Sequence, residues 1–200
     1  MANGLQHFDD GPFYRNARLM CQVLDTELAN FGGEASIAMS SYIQRLSLDN
    51  ISQTVLGFNF GALKQEYNPL HENLVDIKKQ IFHPFFLTFP FFDLFPLPSR
   101  KKAFKDVEEF RKELVSHVQE HLVKNYQFEQ TAFVSSDLIR AFNNEVINYK
   151  QLTDNIVILL VAGHENPQLL LTTSLYLLAK YKDKWQQNIR NETENVYDSK

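Results

Sequence analysis

The 200-residue chain is predicted to be all-α, with helices packed around an apolar core. Apolar residues make up 44% of the sequence, including 17 Phe, which is ample for a core and argues against disorder. They recur at helical spacing in one segment after another, and the alternation typical of strands is rare. A chain of this length is expected to form one domain or part of a larger one.

The N-terminal half is predicted to contain four helices and a turn. Residues 11–31 form the first helix, because a Gly-Pro pair opens the pattern and a Gly-Gly pair stops it. Residues 35–46 form the second helix and residues 47–57 a short third one. Residues 58–61 form the turn, and prolines bound a fourth helix over residues 69–83.

The Phe/Pro segment, residues 82–98, has an unusual composition, with seven Phe and four Pro. Its prolines prevent a long helix and disfavour ordinary strand pairing. So many aromatic side chains need cover. Two interpretations stay open: the segment is buried against the domain, or it contacts a membrane surface or a substrate.

The remaining helices are predicted over residues 99–126, 135–142, 149–181 and 182–196. The first is amphipathic, and its inward stripe consists of Phe104, Val107, Phe110, Leu114, Val118 and Leu122. A Ser-Ser-Asp sequence caps the second. The third is apolar on all sides near its middle, which predicts a central position in the protein.

The strongest indication of a functional site lies in this central helix. An apolar run, residues 156–162, is followed by a Gly-His-Glu-Asn sequence at 163–166 and then by Pro167. Pro167 cannot donate a hydrogen bond to the carbonyl of Gly163, so the helix should break or open there. A Glu inside a core also needs a partner or a function. These features predict a ligand beside the opened turn.

Other classes of function have weaker support. The net charge of −4 and the lack of a basic stripe give no case for nucleic acid. The single cysteine, Cys21, excludes an internal disulfide framework, and its neighbours offer nothing that would stabilise a thiolate. No apolar run reaches the length of a bilayer-spanning helix. His117 and His121 with Glu120 match the HxxEH pattern, so a zinc metallopeptidase remains a distant third interpretation.

Residues 162–166, Ala-Gly-His-Glu-Asn, resemble the oxygen-binding motif AGx(D/E)T in the long central helix of cytochromes P-450. Flanking text over residues 48–61, 137–155 and 175–192 resembles the same family in the same order. The Phe/Pro segment lies where that family carries the lid over its substrate channel. Residues 1–200 are therefore interpreted as the central helical part of a cytochrome P-450 domain, from the WxxxR-like helix through the helix after the oxygen-binding helix.

The resemblance implies a haem-dependent monooxygenase that activates O₂ for the oxidation of an organic substrate. Ala162 and Gly163 would leave room for oxygen beside the iron. Glu165 and Asn166 would organise its protons. His164 would either reach the substrate or serve as an interior histidine with satisfied hydrogen bonds.

Residues 14–18 resemble the family's WxxxR helix, with Tyr14 in place of Trp. The resemblance implies that Arg18, together with Tyr14, holds a haem propionate, which suits the fixed charge and fork geometry of a guanidinium. It also implies electrons from NADPH through a reductase. Full-length relatives would lie at the endoplasmic reticulum membrane, whereas this chain without an anchor is expected to be cytoplasmic.

Within the family, the central motif and its surrounding helices are most similar to the fungal type that oxidises N-formyltyrosine to a dityrosine precursor of the spore wall. Several family features are absent: the haem-ligand loop FxxGxxxCxG, the ExxR pair after the oxygen helix, and most of the β-sheet portion. Asn166 also replaces the usual Thr, and an amide relays protons less well than a hydroxyl.

Without a cysteine ligand, the chain is expected to be inactive alone and not to bind haem stably. Such a piece should also expose apolar surface along its central helix. The alternative is a non-catalytic helical remnant or interaction protein from a truncated gene. An in-frame FxxGxxxCxG sequence downstream in the transcript would separate the two.

Overall fold

The computed structural model describes residues 11–32, 36–64, 69–81, 83–95, 97–125 and 133–198; predicted positions 35, 82, 96 and 126 lie outside them. All regular structure in these ranges is helical, which confirms the predicted fold class. The helices are α1 (Pro12–Asn30), α2 (Met39–Ile51), α3 (Pro69–Ile81), α4 (Pro84–Thr88), α5 (Pro98–Asn125), α6 (Val134–Asn143), α7 (Tyr149–Lys180) and α8 (Lys182–Asp198). A π-helical turn at Ser52–Leu56 and a 3-10 turn at Pro90–Leu94 complete the set.

The second and third predicted helices form one continuous run, so the predicted boundary at residue 47 is wrong. α2 passes directly into the π-helical turn, which ends at Gly57 with a φ of 84°. The buried carboxylate of Asp49 accepts hydrogen bonds from the backbone amides of Ala62 and Leu63, at 2.9 Å each. This side chain therefore makes a tertiary contact beyond the turn instead of capping a new helix at this point.

The core lies where α2, α5, α6 and α7 meet, and its fully buried side chains include Leu48, Leu56, Leu114, Val118, Leu152, Ile156 and Leu160. The predicted inward stripe of α5 is confirmed for its buried members: Phe110, Leu114, Val118 and Leu122. Phe104 is 46% exposed, which corrects that part of the stripe. It lies at the rim of the core, under the guanidinium of Arg100.

α7 remains α-helical through Pro167, so the predicted break is wrong at the level of secondary structure. A capping box starts the helix: the Asn148 side chain accepts from the amide of Gln151, and the Gln151 side chain accepts from the amide of Asn148. One face of the first half of α7 is buried in the core, through Leu152, Ile156 and Leu160, but Ile158 is 58% exposed, so the predicted central position is confirmed for that face only. The second half is open, and Leu169 and Leu170 are 69% and 67% exposed, which confirms the predicted apolar surface on this helix.

The Phe/Pro segment forms α4 and the 3-10 turn rather than one long helix, as its prolines predicted. Its exposed large side chains are Phe85, Leu87, Phe89, Phe91 and Phe95. Arg100 attaches the segment to the helices: its guanidinium lies 4.2 Å from the ring centre of Phe86 and donates a 3.0 Å hydrogen bond to the carbonyl of Gln80. The exposure of these side chains does not fit the interpretation in which the whole segment is buried against the domain, and contact with a membrane surface or a substrate stays a prediction.

Candidate oxygen and haem site

The motif residues of α7 lie on different faces of the helix. Ala162 and Asn166 are one turn apart and both exposed, on a face that continues to the exposed Ile158 and Leu169. His164 is only 2% exposed and lies on the inward side. α7 therefore presents an open apolar face and, behind it, a face packed against the rest of the protein.

Gly163 allows α2 and α7 to approach each other closely. A Cβ at position 163 would lie 2.2 Å from Cδ1 and 2.6 Å from Cγ1 of Ile51. Both distances are far below ordinary van der Waals contact. The structure thus gives this glycine a packing role, and its predicted role in leaving room for oxygen stays a prediction.

The carbonyls before Pro167 have an altered set of hydrogen-bond donors. Pro167 has no amide hydrogen to donate to the carbonyl of Gly163. The carbonyl of His164 accepts a 2.7 Å hydrogen bond from the hydroxyl of Ser47 on α2, and the carbonyl of Ala162 accepts a long, 3.4 Å one from Nδ2 of Asn166. Donors from side chains support this turn where the proline weakens the helical ladder.

The imidazole of His164 is buried, and none of the described residues forms a hydrogen bond with its Nδ1. Burial lowers the pKa of His164 from 6.5 to about 4, and the positive charge of Lys78 acts in the same direction, while Glu165 opposes both. The side chain is therefore neutral at physiological pH. Within the described residues it is an interior histidine that is not fully satisfied, and its predicted contact with substrate stays a prediction.

Glu165 lies at the side of α7 that faces α3. Its carboxylate forms a 2.8 Å ion pair with the ammonium of Lys78, and the two side chains are 39% and 26% exposed. The carboxylate is therefore partnered and partly in contact with solvent, rather than buried as the sequence suggested. His71, also on α3, has a pKa lowered by burial, so this region of α3 carries several titratable groups close to α7.

Tyr14 and Arg18 lie together on the exposed face of α1. The guanidinium carbon of Arg18 is 5.8 Å from the ring centre of Tyr14, in a cation–π arrangement. The opposite face is attached to α2 through the buried Asn16, whose amide donates to Oδ1 of Asn50 at 2.8 Å. Within the described ranges, no hydrogen bond or ion pair joins Tyr14 or Arg18 to α7.

An apolar cleft of about 620 Å³ lies beyond the motif, between α7, α8 and the start of α2, and is lined by residues that include Met39, Leu175, Tyr176, Leu178 and Ile189. None of the predicted site residues lines it. The cleft is a continuation of the open apolar surface on the second half of α7. It does not coincide with the predicted oxygen site.

His117 and His121 pack against each other and against Phe58, as i and i+4 positions on α5 should. Their ring centres are 4.8 Å apart, and that of His117 lies 4.8 Å from that of Phe58. A catalytic zinc site takes three protein ligands. In the part of the chain that the structure describes, no group of three His, Cys, Asp or Glu residues is arranged to hold a metal, so the geometry does not support the metallopeptidase.

The helical fold and the motif in α7 are those expected of a haem-dependent monooxygenase, and a comparison with known protein families tests this. A family model named Cytochrome P450 matches residues 5–200. The chain belongs to the cytochrome P450 family, which confirms the resemblance found in the sequence.

Three individual members of the family are similar in sequence to this chain. The chain is 62% identical over 200 residues to cytochrome P450-DIT2 of Saccharomyces cerevisiae, covering all of this chain and 40% of that protein. It is 30% identical over 157 residues to cytochrome P450 3A9 of Rattus norvegicus, covering 73% of this chain and 31% of the relative. Cytochrome P450 3A6 of Oryctolagus cuniculus is 25% identical over 207 residues, covering 96% and 41%. The chain thus spans about two fifths or less of the length of these relatives.

The structure adds three residues to the site that the sequence did not single out. Ser47 bonds to the carbonyl of His164, Ile51 packs against Gly163, and Lys78 pairs with Glu165. All three come from α2 or α3, and no local pattern links them to α7.

Among the described helices, none combines the length and the apolar character needed to cross a bilayer.

Proposed function

We propose that this chain forms the oxygen-side wall of the haem pocket in a longer cytochrome P450 monooxygenase. The observation that carries the proposal is the open face of α7, where the small Ala162 and the amide of Asn166 lie among exposed apolar side chains. An apolar strip with a small residue at its centre leaves room for a planar macrocycle to lie against it. Haem, when bound, supplies reductive activation of O₂. Residues 1–200 are accordingly one part of the domain, and the cysteine ligand comes from elsewhere in the longer protein.

The experiment is a CO difference spectrum (reduced plus CO minus reduced) of the full-length protein and of the 200-residue chain. The full-length protein should give the thiolate-type band. The chain alone should give none, because its only cysteine, Cys21, is exposed on α1. A full-length protein that retains haem but lacks the band contradicts the proposal, and a band from the chain alone contradicts the assignment of the ligand to another segment.

Glu165 and Asn166 are proposed to organise protons at the oxygen site, Asn166 from the open face of α7 and Glu165 from the adjoining side that faces α3. Asn166 donates toward the carbonyl of Ala162, which leaves its Oδ1 to accept from water. An amide can hold water in place but relays protons poorly, so proton delivery is proposed to use water and the partly exposed Glu165 carboxylate that Lys78 holds, or else the phenol of the substrate. In the full-length protein, Asn166→Thr should lower the hydrogen peroxide released per NADPH. Unchanged turnover and unchanged peroxide would count against this role.

Arg18 and Tyr14 are proposed to hold a haem propionate. Both side chains are exposed, and the guanidinium has donors free to form a fork with a carboxylate. Arg18→Lys keeps the charge but loses the fork, so the full-length variant should lose haem faster than wild type when challenged with apomyoglobin. The nearby exposed Arg15 offers a matched control, and Arg15→Lys should retain haem.

The substrate is proposed to be a tyrosine derivative, and N-formyltyrosine is the first compound to test. The proposal rests on the 62% identity to cytochrome P450-DIT2 together with the similarity of residues 162–166 to the dityrosine type. Electrons are proposed to come from NADPH through a reductase. Full-length protein with reductase should convert N-formyltyrosine to a coupled product that mass spectrometry detects, and no conversion alongside oxidation of another substrate would reject this class.

The Phe/Pro segment is proposed to contact the surface of the endoplasmic reticulum membrane. Its exposed phenylalanines form a compact apolar patch on two short helical turns, a form suited to shallow insertion. Replacing both Phe91 and Phe95 by Asp should reduce the fraction of full-length protein, stripped of any N-terminal anchor, that floats with liposomes. The exposed Val146 lies outside the Phe/Pro segment, in the connection between α6 and α7, so Val146→Asp serves as the control.

A further inference from the structure

We infer that Ser47 is a positioning residue for the oxygen site, an assignment that rests on the proposed function. Its hydroxyl, on α2, donates to the carbonyl of His164 at 2.7 Å, across 117 positions of sequence. Both residues are 2% exposed, so the bond is shielded from water. Ser47 thereby ties α7 to α2 at the turn where α7 lacks a regular hydrogen-bond ladder.

The need for this tie follows from Pro167. In a regular helix the carbonyl of Gly163 would accept from the amide of residue 167, and proline has none. The adjacent carbonyl, that of His164, is the one that Ser47 holds. A donor outside α7 is therefore placed beside the missing bond, where local opening of the helix would otherwise be easiest.

The position of Ser47 is fixed by the packing of the two helices. Ile51, one turn further along α2, fills the space left by the absent side chain of Gly163. The contact between Ile51 and Gly163 thus brings the Ser47 hydroxyl within reach of the next carbonyl. Because a buried hydroxyl without a partner is unfavourable, the bond to His164 is also the arrangement that satisfies Ser47 itself.

The consequence reaches the opposite face of α7. Ala162 and Asn166 project from the same turn whose backbone Ser47 holds, but toward the open side. When Ser47 loses its hydroxyl, the turn opens more often and these two side chains lose their fixed position. Oxygen chemistry that depends on them should then release more hydrogen peroxide for each NADPH consumed.

The test uses the full-length haem protein and its Ser47→Ala, Ser47→Cys and Ser47→Thr variants. Loss of one neutral hydrogen bond corresponds to about a fivefold faster local opening, at a tenfold change per about 1.4 kcal/mol. Amide hydrogen exchange in peptides covering residues 162–169 should accelerate by about that factor in Ser47→Ala. Ser47→Cys, which keeps the shape of the side chain with a slightly larger atom but donates weakly, should behave like Ala, and Ser47→Thr should restore the wild-type rate.

Ser52 supplies a matched control. It is a buried serine of the same helical run, but its hydroxyl donates to the carbonyl of Asp49 rather than to α7. Ser52→Ala should leave both the exchange of residues 162–169 and the peroxide yield unchanged. The inference is overturned if Ser47→Ala and Ser47→Cys leave exchange unchanged, if Ser52→Ala has the same effect, or if peroxide release does not follow the exchange rate across the series. Absence of the thiolate-type band in wild type would reject the proposed function alone, since the exchange comparison still decides what Ser47 does.

Discussion

Replacing Gly163 by alanine places a methyl group in the volume that Ile51 occupies. The added Cβ lies 2.2 Å from Cδ1, 2.6 Å from Cγ1 and 3.6 Å from Cβ of Ile51. Contacts between carbon atoms are optimal at about 3.5–4.0 Å, so Ile51 must change rotamer or the two helices must separate. Since an isoleucine in a helix strongly prefers one χ1 rotamer, neither adjustment is free.

Two effects of opposite sign set the change that Gly163→Ala makes in the free energy of unfolding. Overpacking of this kind costs about 1–3 kcal/mol, whereas alanine is more favourable than glycine in a helix by about 1 kcal/mol. Gly163→Ala should therefore destabilise the protein by up to about 2 kcal/mol. In the Ile51→Ala background only the Cβ at 3.6 Å remains, so the clash disappears and Gly163→Ala should stabilise by about 1 kcal/mol.

The assay is chemical unfolding of wild type, both single variants and the double variant, followed by far-UV circular dichroism. The effect of Gly163→Ala should change sign between the wild-type background and the Ile51→Ala background, with a coupling energy of about 1–3 kcal/mol. Effects that add to within about 0.5 kcal/mol would show that Gly163 and Ile51 do not interact. That result would refute both the proposed packing of α2 on α7 and the reasoning that depends on it.

Three further predictions concern His164, Arg100 and Glu145. The neutral His164 should make stability fall as pH drops from 6.5 toward about 4, because the unfolded chain binds a proton that the folded chain excludes. At about 1.4 kcal/mol per pH unit, the loss in the free energy of unfolding is at most about 3 kcal/mol. When this free energy is measured by urea unfolding at several pH values, it should depend less on pH in His164→Gln than in wild type. An equal slope against pH in the two proteins would contradict the assignment. Arg100→Lys should weaken the contact with Phe86 and the bond to α3, since an ammonium cannot stack while donating in a fixed plane, and proteolysis within residues 83–95 should become faster than in wild type. Glu145 has a φ of 58°, so Glu145→Asn should stabilise the protein slightly, by about 0.5 kcal/mol, and Glu145→Val should destabilise it; the reverse order of unfolding midpoints would reject strain at this position.

Helix content and most helix positions were predictable because they depend on local sequence. The stripe of α5 from Phe110 to Leu122 follows from helical periodicity alone, and the prolines of the Phe/Pro segment excluded a long helix. The boundary predicted at residue 47 failed for a physical reason. Asp49 has the side chain of a capping residue, but residues beyond the following turn supply its donors, and nothing in the local sequence indicates that they will.

The sequence also failed to predict that α7 continues through Pro167, because the compensating donor comes from a distant part of the chain. The rule that proline breaks a helix holds when no other group compensates. Here a hydroxyl from α2 holds the neighbouring carbonyl, and Gly163 is a point of close packing between α2 and α7.

The sequence by itself determined that this chain is helical, that it belongs with the cytochromes P450, and that residues 162–166 resemble the oxygen motif of that family, because spacing and residue type are local properties. Only the tertiary structure decided which way each motif residue faces: Ala162 and Asn166 toward open surface, His164 into the interior, and Glu165 toward Lys78. A helix turns by a fixed angle per residue, but the side that becomes buried depends on which other helix packs there. In this protein α2 determines the buried side of α7, because Ile51 packs against Gly163 and Ser47 donates a hydrogen bond to the carbonyl of His164.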